Sequence, residues 1–233
     1  MSEIPSDDSF FDFKCPYCGE VNSFPTTAAH TLQDCASCME SIVVPAVGAQ
    51  TGGKLPLPIT TPRLLLRKFH PDDSVRLLEM LAHDETDKLP VDETDVDQWI
   101  ERQRAARFVH NEFGVHLAIE LVESKELVGH VLLHSLAGDR NDGSFTSLTI
   151  TPPRRRQGLG TEAARAAMDF AFDGLCVRRV AVSCPSANAS ARGMLAKAGL
   201  RQEGELVKYR FDGTDWVNLS LYALLKEERA ARP

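Results

Sequence analysis

Three arginines and two glycines stand directly before an alanine-rich segment, in the stretch RRRQGLGTEAARAAMDF at residues 154–170. Gly158 and Gly160 allow the backbone to turn tightly and to approach a ligand closely. Apolar residues then recur at helical spacing, which predicts a helix that begins near Leu159. The backbone N–H groups and the positive dipole end at such a helix start favour an anion, most commonly a phosphate. The stretch therefore predicts a phosphate-binding loop.

Two widespread phosphate loops fit this stretch poorly. A P-loop needs Lys and then Ser or Thr after its second glycine, and Thr161 and Glu162 stand there instead. A dinucleotide fingerprint matches the spacing Gly158-x-Gly160-x-x-Ala163. It also needs a strand that runs directly into the first glycine and an acidic residue about 20 positions later. Prolines and polar residues precede the first glycine here, and the region of residues 178–183 contains no acid.

The third loop of this kind is the pyrophosphate loop of the GNAT acyltransferases, Arg/Gln-x-x-Gly-x-Gly/Ala. Residues 155–160, RRQGLG, resemble it at every position. The preceding strand, expected at about residues 144–150, ends in Thr151-Pro152, which resembles the way in which the family enters this loop. The alternative is a glycine-rich and arginine-rich helix entrance that binds nothing.

Other segments follow in the order found in the same family. Residues 61–67, TPRLLLR, resemble the first strand of the RimJ/RimL branch, and a helix is expected to open near residues 71–73. Alternating apolar and polar residues predict a hairpin whose strands are 115–121 and 126–131. A β-branched strand at 177–183 precedes Asn188, which stands 11 positions before Gly199, as in the family.

The resemblance covers about residues 59–228 and implies an α/β (α+β) protein of the GNAT fold, with a mixed, centrally splayed β-sheet flanked by helices. It implies an acetyl-CoA-dependent N-acetyltransferase whose amine acceptor attacks the thioester directly in a ternary complex. The pantetheine of acetyl-CoA would pair with one splayed strand, the pyrophosphate would bind the loop, and an asparagine would touch the cofactor arm. The cofactor-binding residues implied are Leu148, Ile150, Arg155, Arg156, Gln157, Gly158, Leu159, Gly160, Thr161 and Asn188.

The residues that would move protons depart from the family pattern. Ala191 and Leu195 stand where branches of the family carry Ser and Tyr, and about Phe145 aligns with a frequent Glu. The candidates to replace them are Ser190, Cys184 and either Tyr209 or Tyr222. Cys184 also fits a small buried hydrophobe, and Tyr222 fits a core residue. A second hypothesis therefore stays open, an acyl-CoA-binding regulatory protein with weak catalysis.

Two CxxC pairs occur in the first 45 residues, Cys15/Cys18 and Cys35/Cys38, with 16 residues between them. This spacing is typical of a structural zinc site with four thiolates. So short a segment buries too little apolar surface to fold alone, and zinc ligation, worth on the order of 10 kcal/mol, can make up the difference. Two disulfides are the alternative, and His30 could replace one ligand. The stretch CPYCGE also resembles a small bacterial cysteine-rich family named for its CPxCG motif.

Charge limits what this zinc ribbon can bind. Residues 1–50 contain seven acidic residues and one basic residue, Lys14, so a nucleic-acid surface is not expected. We interpret the ribbon as a structural or protein-docking module, and a ribbon adaptor that carries the large domain is a third hypothesis. The predicted domains are a zinc ribbon at 1–45, a linker at 46–58 and a GNAT acetyltransferase domain at 59–233.

An acidic segment bears on the acceptor. Seven acidic residues and one lysine stand between Asp84 and Asp97. In the family this region walls the acceptor cleft, so its charge would attract a cationic amine, either a small molecule or a peptide N-terminus. The alternative is a solvated loop and helix start. The chain carries a net charge of −7, no apolar run of membrane-spanning length and no apolar N-terminal leader, so we expect a cytoplasmic protein that does not contact a membrane.

Overall fold

The structure, a computed structural model, describes residues 9–29, 31–45, 47, 49–50, 52–54, 56–83, 95–105, 114–136 and 139–231. These residues include the following strands: β1 (Phe10–Lys14), β2 (Val21–Pro25), β3 (Leu32–Asp34), β4 (Ser41–Val43), β5 (Gly53–Lys54), β6 (Ile59–Thr60), β7 (Leu64–Arg67), β8 (Gly114–Leu121), β9 (Leu127–Leu136), β10 (Asp139–Ile150), β11 (Arg179–Pro185), β12 (Arg201–Phe211) and β13 (Trp216–Leu225). The helices are α1 (Ser74–His83), α2 (Val96–Ala105), α3 (Leu159–Asp173) and α4 (Ala189–Ala198).

The large sheet has eight strands in the order β12-β13-β11-β10-β9-β8-β7-β6. Its neighbours pair antiparallel, except that β10 and β11 pair parallel. Helix α3 connects these two parallel strands, as a crossover between parallel strands requires. The sheet is therefore mixed, and its two parallel strands lie in the middle.

Both faces of this sheet are covered by helices. One face packs against α3 and α4 through a core that includes Met168, Phe172 and Leu195, each no more than 1% exposed. The other face packs against α1 and α2 through a smaller cluster that includes Leu77 and Trp99. Alternation of side chains along β8 directs residues to one core or the other. This layered arrangement is the architecture that the family resemblance implies.

An ion-pair network ties the start of α1 to the sheet. The Arg67 guanidinium donates to the Asp73 carboxylate at 2.7 and 2.9 Å and to Glu120 on the neighbouring strand at 2.8 Å. Asp73 also accepts from the backbone N–H of His70 at 2.6 Å. Burial alone would raise the pKa of Asp73, but the hydrogen bonds from Arg67 and His70 outweigh it and lower it. The carboxylate is thus held ionised where the chain enters the helix.

The N-terminal part consists of two hairpins that repeat each other. In the first turn, the Cys15 N–H donates to the Glu20 carbonyl at 2.8 Å, and in the second the Cys35 N–H donates to Glu40 at 2.9 Å. Residues 19 and 39 both have positive φ, +80° and +61°, so the same left-handed turn closes each hairpin. The two CxxC turns therefore have the same geometry, and Cys35 follows Cys15 by 20 residues.

Part of the segment predicted as a linker, residues 46–58, pairs with the N-terminal strands. Strand β5 lies within residues 46–58, yet it pairs with β4, and Lys14 exchanges hydrogen bonds with Gln50 and Gly52. Backbone pairing therefore extends the small N-terminal sheets to Lys54. No helix in the described ranges combines the length and the apolar character needed to cross a membrane.

The predicted elements lie close to the observed ones. The helix expected near Leu159 begins at that residue, and the predicted hairpin 115–121 and 126–131 corresponds to β8 and β9. The strand expected at 177–183 is observed two residues later, as β11, and β10 begins five residues before the expected start. The ends of a strand depend on which neighbouring strands it pairs with, and the local sequence pattern does not specify that pairing.

Candidate functional site

The glycine-containing loop leads into α3 with its backbone donors available. Gly158 adopts φ +81°, which an L side chain rarely adopts, and its carbonyl accepts the first helical hydrogen bond, from the Glu162 N–H at 3.1 Å. The N–H groups of the first helical turn, including Leu159, Gly160 and Thr161, have no acceptor within the helix. Donors of this kind, together with the helix dipole, favour a bound anion.

The three arginines before the loop have different surroundings. Arg154 pairs with the Glu126 carboxylate at 3.2 and 2.5 Å, and this hydrogen bonding raises the pKa of Arg154. Arg155 donates through Nε to the Ile150 carbonyl at 2.7 Å, which holds the loop against the end of β10. Arg156 is exposed and has φ +64°. The charge of Arg154 is therefore compensated by Glu126.

Gly160 faces an apolar surface next to the loop. A Cβ added at Gly160 would lie 3.7 Å from Met194 Cγ, 3.8 Å from Ile150 Cγ1 and 3.9 Å from Leu148 Cδ2. Strand β10 and helix α4 supply these groups, so the loop, the strand and the helix meet at this glycine. An apolar surface therefore lies directly beside the loop.

The two central strands separate on the way to this loop. Strands β10 and β11 pair only at residues 142–144 with 179–181, and Ser144 opposite Ala181 is the last pair. The outer edge of β10 pairs with β9 as far as Ile150, and that of β11 pairs with β13 as far as Pro185. Within these two strands, all of whose residues the structure describes, the facing edges from 145 and 182 onward do not pair with each other. An extended ligand can hydrogen-bond there.

Helix α4 begins beside the open edge of β11. The Asn188 Oδ1 accepts from the Ala191 N–H at 2.9 Å, so Asn188 caps the helix. Ser190 is exposed in the first turn. Leu195, where family members carry a tyrosine, is 1% exposed and part of the core. This helix therefore has no hydroxyl at the position of the family acid.

Cys184 and Tyr222 lie on the face of the sheet that α4 covers. They are 7% and 5% exposed and belong to the same core cluster. The Tyr222 hydroxyl lies 3.4 Å from both Arg192 Nε, which donates to it, and Gln202 Oε1. Burial raises the pKa of Cys184, and the nearby positive charge of Arg192 only partly opposes this. The thiol is thus protonated at neutral pH and not activated as a nucleophile.

A buried histidine pair lies on the opposite face, and the sequence did not single it out. His116 Nε2 and His130 Nδ1 are 3.0 Å apart, and His116 also contacts the rings of Phe69 and Trp99. His130 stands opposite Thr149 of β10. Burial, followed by the charge of His130, lowers the pKa of His116 to about 3. The signal in the sequence that could have identified this pair is a polar residue at an inward position of each otherwise apolar strand.

The four CxxC cysteines converge in the N-terminal hairpins. Cys15 Sγ lies 3.7 Å from Cys38 Sγ, Cys18 Sγ lies 3.7 Å from Cys35 Sγ, and all four sulfurs lie within 4.8 Å of one another. A tetrahedral zinc site with Zn–S bonds of about 2.3 Å has sulfurs about 3.8 Å apart. The cysteines are free thiols, and these separations are far longer than a disulfide bond.

Hydrogen bonds to sulfur support an ionised thiol at this cluster. Asn22 is 4% exposed, and its Nδ2 donates to Cys35 Sγ at 3.4 Å while its Oδ1 accepts from the Ala36 N–H at 3.0 Å. Burial alone would raise the pKa of Cys35. Hydrogen bonds from the Cys38 and Ser37 N–H groups and from Asn22 outweigh this effect, and the pKa is lowered to about 6. Metals bind the thiolate form, so the donor set fits zinc.

Two predictions fall mainly on residues that the structure does not describe. Of the acidic segment from Asp84 to Asp97, residues 84–94 lie outside the described residues. His30, the alternative zinc ligand, also lies outside them. The acidic segment is therefore described only from Asp95 onward.

Comparison with known proteins agrees with this geometry. A family model described as acetyltransferase (GNAT) domain matches residues 63–201. The uncharacterized N-acetyltransferase YnaD of Bacillus subtilis (strain 168) is 25% identical over 173 residues, which are 73% of this chain and 98% of YnaD. Mycobacterium smegmatis RimJ, solved in complex with CoA-disulfide, has a TM-score of 0.60 at 21% identity, covering 71% of this chain and 83% of that one.

A spermidine/spermine N-acetyltransferase, SpeG from Vibrio cholerae, has a TM-score of 0.58 at 20% identity, covering 72% of this chain and 98% of that one. These structural likenesses establish the GNAT fold, with its splayed central strands. The family match spans more than half of the chain, and the named relatives are acetyltransferases. The protein therefore belongs to the GNAT acetyltransferase family and is a GNAT-family N-acetyltransferase.

Proposed function

We propose that this enzyme transfers the acetyl group of acetyl-CoA to a cationic primary amine by direct attack within a ternary complex. The observation that carries the proposal is the meeting of two features. The open edges of β10 and β11 lead to the loop at residues 155–161, where helix α3 presents its N–H groups. An extended arm with a charged pyrophosphate at its end matches this combination.

Binding of the donor is assigned to backbone groups more than to side chains. We assign the pantetheine to the backbone of Leu148 and Ile150, whose other edge is already paired with β9. The pyrophosphate is assigned to the N–H groups from Arg156 to Thr161, because the Arg155 N–H already donates to the Pro152 carbonyl. Asn188 adds an amide beside the arm while it caps α4. A fixed backbone N–H next to the thioester carbonyl would stabilise the oxyanion that forms during attack.

Proton transfer requires groups other than those typical of the family. Tyr222 is the best-placed of the predicted acids, because its hydroxyl lies against α4 beside Arg192, one turn before the leucine that replaces the family tyrosine. We propose that it donates a proton to the departing thiolate. Cys184, protonated and without an adjacent base in the described contacts, is not assigned a covalent role. Ser190, exposed at the start of α4, stays a prediction.

The acceptor is proposed from charge and from the relatives. Direct attack needs a neutral amine held in line with the thioester, which the protein achieves by orientation. SpeG is by name a spermidine/spermine acetyltransferase, so a polyamine-like acceptor has a precedent within this fold. The acidic segment at 84–97 is expected to attract such a cation. A peptide N-terminus is the other member of the same chemical class.

A structural zinc ion is proposed, with four cysteines as its ligands, namely Cys15, Cys18, Cys35 and Cys38. Bound there, it would crosslink the two hairpins through four thiolates and supply no catalytic chemistry. The hairpins bury few apolar groups, chiefly Phe13, Ile42 and Val44. We therefore assign the ribbon a structural role. The hypothesis that it docks a protein partner and the division into domains at 1–45, 46–58 and 59–233 stay predictions.

Release of free thiol from acetyl-CoA, measured over a panel of polyamines, amino acids and peptides, tests the proposed function. We expect turnover with primary amines of positive charge and initial rates that fit sequential kinetics. Tight binding of acetyl-CoA without turnover for any acceptor would favour the regulatory alternative, which the residues at 145, 191 and 195 motivate. Failure to bind acetyl-CoA at all would refute the proposal.

A further inference from the structure

The Arg63 side chain, which is distant in the sequence, contacts the pyrophosphate loop at residues 155–161. Arg63 precedes β7, and its guanidinium NH1 donates to the Gln157 carbonyl at 2.9 Å. The same guanidinium donates through Nε to the Glu162 carboxylate at 2.6 Å. Arg63 NH2 also lies 3.4 Å from the position of a Cβ on Gly158. One planar side chain thus connects the loop to the first turn of α3.

Glu162 is itself held in place by three donors. Its carboxylate accepts from the Thr61 hydroxyl at 2.6 Å, from the Arg63 N–H at 3.0 Å and from the Arg63 side chain. Burial alone would raise the pKa of Glu162, but these hydrogen bonds outweigh it and lower it. The carboxylate is therefore ionised at neutral pH, and the guanidinium has a fixed counter-ion 2.6 Å away.

The contact with Gln157 determines how the loop presents its donors. In a trans peptide the carbonyl and the following N–H point in opposite directions. A Gln157 carbonyl turned toward Arg63 therefore turns the Gly158 N–H away from Arg63. Without this hydrogen bond the peptide between Gln157 and Gly158 can rotate, because glycine has wide conformational freedom.

We propose that Arg63, oriented by Glu162 and Thr61, is a positioning residue that holds the pyrophosphate loop in its anion-binding conformation. The inference rests on the proposed use of acetyl-CoA and adds a residue, outside the glycine motif, on which donor affinity depends. A guanidinium is suited to this role because its rigid fork can serve two acceptors at once, which a lysine ammonium does less well.

The competing explanation is that Arg63 and Glu162 merely fasten β7 to α3. An exposed ion pair contributes little to stability, and the Arg63 side chain is 48% exposed. A fastening role predicts a general loss of stability and an equal effect on every donor. A positioning role predicts a loss confined to donors that carry the pyrophosphate.

The test compares acetyl-CoA with S-acetylpantetheine, which lacks the pyrophosphate and the adenosine. We expect Arg63→Gln to raise KM for acetyl-CoA about tenfold or more, as for the loss of a charged hydrogen bond. Its kcat and its KM for S-acetylpantetheine should stay near the wild-type values. Arg63→Lys should restore affinity only in part. Arg76→Gln, which removes an exposed ion pair with Glu79 on α1, is the matched control and should change neither KM.

Two outcomes would overturn the inference. One is an unchanged KM for acetyl-CoA in Arg63→Gln, and the other is an equal loss with both donors. Thermal unfolding of each variant shows whether the fold is intact, and Glu162→Gln gives a second variant if Arg63→Gln is unstable. If the wild type neither binds acetyl-CoA nor turns over either donor, the proposed function fails and not the role of Arg63 alone.

Discussion

Substitution of Gly160 gives a direct test of the pyrophosphate loop. The Cβ contacts of 3.7–3.9 Å at this position are ordinary van der Waals distances, so Gly160→Ala fits without displacement of Met194 or Ile150. Alanine is favoured over glycine within a helix by up to about 1 kcal/mol. We therefore expect Gly160→Ala to unfold at the wild-type temperature or above, and to bind acetyl-CoA within a few-fold of wild type.

Asparagine and aspartate at Gly160 have the same shape and differ in charge. A carboxylate in the first turn of α3 favours the helix by about 0.3–1 kcal/mol, so Gly160→Asp should still fold. Against a pyrophosphate at about 5 Å, with an effective dielectric constant of about 20, it costs about 3 kcal/mol for each unit of charge. For one unit of charge, that of the nearer phosphate group, this corresponds to affinity about 100-fold lower than that of Gly160→Asn.

Isothermal titration with acetyl-CoA measures the ratio of the two dissociation constants. We expect a ratio of about 100 in dilute buffer and a smaller one near 1 M salt, where the Debye length is about 3 Å. Equal affinity of the Asp and Asn variants would mean that the pyrophosphate does not bind at this loop. A ratio that is insensitive to salt would point to a change of shape as the cause.

Three further predictions concern the ribbon, the histidine pair and catalysis. Reduced protein should carry about one zinc per chain, and Cys35→Ser should unfold the ribbon without loss of acetyl-CoA binding; metal-free wild type with an intact ribbon would contradict this. Since the pKa of His116 falls from 6.5 to about 3 in the fold, the unfolded chain binds more protons between these values. The free energy of unfolding should then decrease on acidification, by up to about 1.4 kcal/mol per pH unit. In urea titrations, His116→Gln should flatten this slope, and an unchanged slope would disprove the assignment. Tyr222→Phe should lower kcat about tenfold or more, whereas Cys184→Ala should keep most activity; ping-pong kinetics with an acetylated Cys184 would reverse that conclusion.

Local patterns in the sequence determined the parts of this site that depend on near neighbours. The start of α3 at Leu159 follows from a glycine in a left-handed conformation and from helical spacing after it, both short-range properties. The Asn188 cap is likewise decided within four residues. The two CxxC knuckles are local turns, so their spacing predicted a cluster of sulfurs that the structure contains.

Only the tertiary structure decided which distant groups meet. Arg63 and Glu162 are 99 residues apart, and no periodicity relates them. The order and register of strands likewise decide two other contacts, the ion pair of Arg154 with Glu126 and the hydrogen bond of Tyr222 with Arg192. Register is fixed by the burial of whole faces, because a shift of one residue turns every side chain over.

The same reason explains why the histidine pair was missed. His116 and His130 each precede an apolar neighbour in a strand, Leu117 and Val131, and alone each is compatible with an exposed face. Their meeting depends on the pairing of β8 with β9, in which His130 stands opposite Ala118. The sequence thus determined the loops and caps, whose geometry is local. The packing of the sheet decided which polar groups are buried together, because that depends on long-range contacts.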